Sequence, residues 1–245
     1  MLKLELVEAV LARALKGGAD FAEVYAQRAK KRRMKVRQGA LEEALSGLDY
    51  GAGVRLFFGT EVVYAYTNDL TQEGLMEALE TLLRAKGALG KVDEGGKGGL
   101  DFRKATPKGL HAPKVPYGEK DKRYRLERLL EAEAGARIAP AIKQVEASLL
   151  EWEEEVLVAN TEGVFAEEKR VRTRLFVLAV AQDGAEVQTG YSAPGKSVGL
   201  ELFDLYPPKA VGEKAARQAL TNLKARPAPA GTFPVVVGPG FGGVL

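Results

Sequence analysis

Val171-Arg-Thr-Arg-Leu-Phe-Val-Leu-Ala-Val-Ala181, continued by Gln182-Asp183-Gly184 and Ala185-Glu-Val-Gln-Thr-Gly-Tyr191, is the stretch whose reading decides the fold. The first run is rich in β-branched and aromatic residues. Its second half, 175–181, is apolar on both faces, which predicts a central strand covered on both sides. Asp183-Gly184 is a two-residue hairpin signal, so the next strand must return antiparallel over 185–191. Antiparallel strands segregated from helices point to the α+β class.

Working outward, Ile142–Leu150 and Val156–Val158 read as strands, separated by the acidic run Glu151-Trp152-Glu153-Glu154-Glu155 and followed by a polar turn at 160–163. A helix over 120–134 puts Leu126, Leu129 and Leu130 inward, and a second over 208–223 carries Val211, Ala215, Ala219, Leu220 and Leu223. The first third repeats this order. A helix with Leu4, Val7, Leu11 and Ala14 on one face stops at Lys16-Gly17-Gly18. Strand character follows over 21–28 and, after a charged turn, over 34–36. Two β-rich runs, 53–58 and 62–66, flank a turn at Gly59-Thr60-Glu61. Asp69 or Thr71 then caps a helix striped by Leu75, Leu79, Leu82 and Leu83.

Between these similar halves, 87–99 holds six glycines and little apolar bulk, and Pro107, Pro113 and Pro116 follow. Such a segment cannot bury a core of its own, so it reads as a connection. The expected architecture is α+β: antiparallel sheets flanked by helices, in two successive helix–strands–helix subdomains. Their expected bounds are 1–88 and 119–226, joined by 89–118. Residues 227–245 form a linker, then a short buried strand at 232–237, read as the start of a catalytic domain continuing past Leu245.

Composition removes several chemistries. There is no cysteine, hence no disulfide and no thiolate ligand, and His111 is the only histidine. Zinc sites need several such ligands converging, so no complete metal site is expected within this chain. No apolar run approaches a membrane span and the first residues lack a signal-peptide layout, which leads to the expectation of a cytoplasmic protein with no membrane partner. Scarce Asn beside plentiful Glu, Lys and Arg leans toward a thermophilic source. A net charge of +3 does not by itself argue for nucleic acid.

Two motif matches are formally complete. Gly190-Tyr-Ser-Ala-Pro-Gly195-Lys196-Ser197 fits a P-loop, which must join a buried strand to a helix whose N-terminal amides hold phosphate. Here the preceding strand ends in Gln188 and Thr189, and Pro207-Pro208 follows within ten residues of the loop, so a solvent loop is the simpler reading. Gly238-Pro-Gly240-Phe-Gly242-Gly243 fits the dinucleotide fingerprint without the helix that should follow. Its glycines, Gly238, Gly240, Gly242 and Gly243, instead suggest backbone lying close to a site. Seven basic residues between Arg28 and Arg37 allow a nucleic-acid patch, but no aromatic residues are interleaved. A solvated hairpin edge is the plainer reading. The Glu151–Glu155 run reads as a charged strand edge or turn anchored by one tryptophan, and His111 as a surface residue.

Three blocks carry a more specific signal. Gly51-Ala-Gly-Val-Arg-Leu-Phe-Phe-Gly with Val63-Tyr-Ala-Tyr-Thr-Asn-Asp-Leu-Thr resembles the N-terminal block of the TldD/PmbA family. Asn160-Thr-Glu-Gly163, 172–181 and Gln188-Thr-Gly-Tyr191 resemble its middle block, and Phe233-Pro-Val-Val-Val-Gly-Pro-Gly-Phe-Gly-Gly-Val-Leu245 its lead-in to the catalytic block. The resemblance favours the TldD branch. It implies a cytoplasmic zinc metallopeptidase, a "modulator of DNA gyrase", acting on peptides or unfolded proteins as a homodimer or a heterodimer with a PmbA-type paralogue. It also implies a metal held by a His-Glu-x-x-x-His helix and a later cysteine, with the glutamate as general base. None of those ligands matches a residue of this sequence, so no catalytic or metal residue carries over and this chain alone is expected to be inactive. Under the resemblance the two motif matches become an ordinary connection and a glycine-rich lead-in. The competing reading is a non-enzymatic module contacting nucleic acid or gyrase through the basic 28–37 hairpin.

Overall fold

The computed structural model describes residues 1–87, 100–105 and 112–238, without the side chains of 103–105. Its frame is one sheet built on four long strands, β1 (Phe21–Arg37), β2 (Ala40–Phe58), β5 (Ile142–Asn160) and β6 (Val164–Asp183). The shorter β3 (Glu61–Thr67), β4 (Arg103–Ala105), β7 (Glu186–Ser192) and β8 (Gly195–Lys196) complete it. The order is β3-β2-β1-β5-β6-β4, with β7 and β8 also on β6; only the β4–β6 pair is parallel. Four longer helices, α1 (Leu4–Lys16), α2 (Gln72–Ala85), α3 (Lys122–Ala136) and α5 (Pro208–Leu223), and the single turn α4 (Leu202–Leu205) accompany it. The α+β reading therefore holds.

The helices pack on one face of the sheet, over two separate cores. One gathers Val7, Val10 and Leu11 of α1 and Leu75, Leu79 and Leu83 of α2 over Ala22, Val24, Leu56 and Leu157. The other gathers Leu129 and Ala132 of α3 and Val211, Ala215 and Ala219 of α5 over Met34, Val36, Leu149, Leu175 and Val177. Thr71 caps α2 by accepting from the Gly74 amide, and Asp121 caps α3 by accepting from the Tyr124 amide. The two halves of the chain share the sheet, because β1 pairs with β5 along 15 consecutive residues, Glu23–Arg37 against Asn160–Glu146.

Several local expectations change. The charged turn expected after Arg28 and the break expected at Glu151–Glu155 are the middles of β1 and β5, and they face each other: Arg28 opposite Glu155, Lys30 opposite Glu153, Arg32 opposite Glu151. Cross-strand opposite charges hold together what propensity would separate. The basic run is thus an interior strand, not a solvated edge. β2 begins at Ala40 rather than Gly53, after a turn in which Gln38 and Gly39 both have positive φ (51° and 76°). That geometry matches the right-handed twist of a hairpin.

The apolar end of β6 is covered on one side only. Leu175, Val177, Ala179 and Ala181 are buried, whereas Phe176, Leu178 and Val180 are half-buried on the helix-free face. The 232–237 segment is neither strand nor buried; Val236 is 96% exposed. Among the described residues no strand runs beside it to receive its hydrogen bonds, and an isolated strand is not stable.

Candidate functional site

Of the four glycines singled out above, Gly238 is exposed and a Cβ added there would meet no atom beyond its chain neighbours within 4 Å, while Gly240, Gly242 and Gly243 lie outside the described residues. His111 lies outside them as well. Among the described residues no group of three or more His, Asp or Glu side chains converges as a metal site would require. Among the described residues no donor set therefore fits a zinc ion.

The P-loop match dissolves into packing. A Cβ on Gly190 would meet Ala215 O and Ala219 N of α5 at 2.3 Å, so this glycine lets the edge strand lie against the helix. Gly195-Lys196 forms β8 against β6, and the next helix is the single turn α4, which begins only at Leu202 and not directly after the loop as phosphate binding requires.

What the structure does bring together is the charged middle of the sheet. On the helix-covered face, the Glu151 side chain is 1% exposed and takes both Nε and Nη2 of Arg125, a bidentate pair. Arg32 Nη1 lies 3.4 Å from the same carboxylate. Arg125 also donates to the Tyr117, Lys120 and Asp121 carbonyls, which fastens the start of α3 to β5. The Tyr117 hydroxyl donates to Arg172 O and meets Thr173 Oγ1, each at 2.8 Å. Burial pushes this phenol up to about 12, so it stays protonated. Thr173 in turn donates to Val198 O and Gly199 O, pinning the loop ahead of α4. There Glu201 accepts from the Lys114 and Val115 amides at 2.9 and 3.0 Å. Burial alone would raise the Glu201 carboxyl; the backbone amides outweigh it and hold the group below the usual carboxylate range.

The helix-free face presents a different surface. Trp152 stands between Lys31 of β1 and Arg172 of β6, whose charged ends lie 5.0 and 5.3 Å from its ring centroid. One row along the strands, Arg33, Leu150 and Arg174 line up, with Gly195 and Lys196 beyond. Together they line a groove of about 960 Å³. Composition alone could not find this arrangement, because its members are spread from 31 to 196. The available signal was the complementarity of the 28–37 basic run and the 146–155 acidic run.

That complementarity also answers the reading of 28–37 as a free basic patch. Arg32 is engaged by Glu151 and Glu153, Arg33 by Glu43, Lys35 by Glu42, and Arg37 by Glu42 and Glu146.

Two known domains match the chain in succession, one in each half. The description "PmbA/TldA metallopeptidase domain 1" matches residues 22–86, and "PmbA/TldA metallopeptidase central domain" matches 113–223. The chain belongs to the PmbA/TldD family. A "Metalloprotease TldD homolog" of Haemophilus influenzae is 30% identical over 236 residues, covering 92% of this chain and 48% of that protein. A "Metalloprotease" of Methanothermobacter thermautotrophicus is 26% identical over 227 residues with the same coverage. The chain thus spans about half the length of the curated relatives it matches. In fold it is similar to a "putative modulator of a DNA gyrase" from Thermotoga maritima, at a TM-score of 0.71 and 16% identity over 93% of this chain and 50% of that one. TldE from Thermococcus kodakarensis is similar at 0.62 and 15%, over 88% and 47%. The PmbA/TldD domains therefore meet in the shared sheet, with β1 from domain 1 against β5 from the central domain.

Proposed function

We propose that this chain is the N-terminal, non-catalytic region of a TldD-type zinc metallopeptidase that acts on peptides or unfolded proteins. One observation carries the reading: domain 1 and the central domain of a metallopeptidase family occur in order, while the sequence has one histidine and no cysteine and no His, Asp or Glu cluster converges among the described residues. The names of its relatives support the TldD branch. In this reading the sheet and its helices shape a substrate cavity and contribute to a homodimer, or to a heterodimer with a PmbA-type paralogue, in the cytoplasm. Zinc is held by residues outside this chain, and Gly238, Gly240, Gly242 and Gly243 bring the backbone toward that metal in a supporting role. Absence of a helix long and apolar enough to cross a membrane, among the described residues, is consistent with this.

The nucleic-acid alternative is disfavoured because most cations of 28–37 already have carboxylate partners. The test compares this chain with the same sequence extended to the full length of its relatives. The extended protein is expected to bind zinc and to cleave unfolded polypeptide in a chelator-sensitive way, and the 245-residue chain to do neither. Hydrolysis by the short chain, or metal-independent hydrolysis by the long one, overturns the proposal.

A further inference from the structure

The helix-free face around Trp152 has an unusual electrostatic balance. Lys31, Arg33, Arg172, Arg174 and Lys196 line one groove, and its nearest opposing carboxylates are Asp49, 3.8 Å from Lys31, and Glu43, 3.2 Å from Arg33. Glu151 reaches the groove wall but is committed to Arg125 on the other face. Glu154, the next acidic residue on this face, is buried and bonded by Gln27. Arg172, Arg174 and Lys196 have no ion-pair partner among the described residues. Lys31 and Arg33 keep 53% and 46% of their side-chain surface exposed.

We infer that this groove binds an extended acidic peptide, its carboxylates received by Arg172, Arg174 and Lys196. Two features select that ligand. Arg172 and Arg174 are two residues apart on one strand, so their side chains repeat at roughly 6.6–6.8 Å, the spacing of alternate side chains along any extended polypeptide. A Glu-x-Glu segment matches that pitch, and arginine forks suit carboxylates. Single-stranded nucleic acid also carries regular charge, but it is held by stacking bases on free aromatic faces. Trp152 offers no free face, since Lys31 and Arg172 flank the indole. Its Nε1 is buried, without a hydrogen-bond partner among the described residues.

The ligand's polypeptide nature rests on the proposed function, but the test is binding to this chain alone, so a failed titration and a failed hydrolysis assay are separable. Trp152 is the only tryptophan, so its fluorescence reports on the groove without labelling. A dodecapeptide alternating Glu and Ser is expected to give a saturable change, with an affinity that drops several-fold as salt approaches physiological strength. Arg172→Gln with Arg174→Gln is expected to weaken binding roughly tenfold, read by anisotropy of the labelled peptide because Arg172 touches the fluorophore. Lys196→Gln, an exposed change on a two-residue strand, provides a second variant that leaves the core untouched. No saturable response, equal binding of a Gln-Ser peptide, unaltered affinity in both variants, or tighter binding of oligothymidylate of matched charge would each overturn the inference, the last by assigning the face to nucleic acid.

Discussion

Glu201 is surrounded by backbone amides rather than by cations. Lys114 N and Val115 N each donate to one of its oxygens, so the ionised form is favoured in the fold. A carboxyl held below its ordinary value stabilises the protein above its unfolded pKa, about 4.3, and that contribution is lost as the pH falls through the folded value. Glu201→Gln is therefore expected to cost about 1–3 kcal/mol at neutral pH, since the neutral side chain keeps one acceptor oxygen and turns an NH2 toward the second amide. Its melting temperature should also fall less than the parent's between pH 5 and more acidic conditions, which thermal melts across that range would check. Nothing in the sequence marks Glu201 for this role, because its donors lie 86 and 87 positions earlier. The same is true of Glu151, whose run of carboxylates looks uniformly solvated until Arg125 reaches it from α3. By contrast Thr71 and the apolar stripe of α2 could be read directly, since a cap and its helix are neighbours in the chain.

At the scale of elements, local patterns identified most helices and the hairpins at Gly59 and Gly184. What they missed were continuous strands whose centres carry charge. Propensity disfavours Lys and Glu in strands, yet β1 and β5 each supply the other's counter-charge, a non-local term that a window of residues cannot contain. Close helix packing was equally invisible. A Cβ on Gly212 of α5 would come within 2.0 Å of Ala132 O of α3, and one on Gly135 within 2.4 Å of Lys209 O. Both obstacles are backbone, so the helices must move apart to admit a side chain. Gly212→Ala is expected to destabilise by about 1–3 kcal/mol despite the better helix propensity of alanine, a sign that urea unfolding would read directly.

For the whole molecule, each core draws on both halves of the chain over one shared sheet: Leu157 and Phe165 join the core of α1 and α2, and Met34 and Val36 join that of α3 and α5. Of the four strands of 17 to 20 residues, β1, β5 and β6 pass through each core in turn while β2 contributes only to the core of α1 and α2, and the charged belt lies between the cores. Coupling between the cores depends on that belt. Reversing its acidic side with Glu153→Lys and Glu155→Lys sets like charges opposite Lys30 and Arg28 and removes the partner that Glu155 gives Lys169 at 2.9 Å. One cooperative unfolding transition in the parent is expected to separate into two in this variant, measured by calorimetry; a single transition in the variant would show that the strands couple the cores without the belt.

The belt also sets a problem of alignment. A slide of β1 along β5 by two residues keeps every side chain on its own face and still sets Lys30 opposite a glutamate, either Glu151 or Glu155. Either slip costs one pair, with Arg32 set opposite Leu149 or Arg28 opposite Leu157, so charge favours the native register by a single pair. A further stop lies at the far end, where Gln38 accepts from Arg137 and from the Val145 amide while donating to Lys143 O. That clasp joins the β1–β2 turn to the end of α3 and the start of β5. One glutamine at a hairpin tip thereby acts as the index mark for a sheet tens of ångströms long.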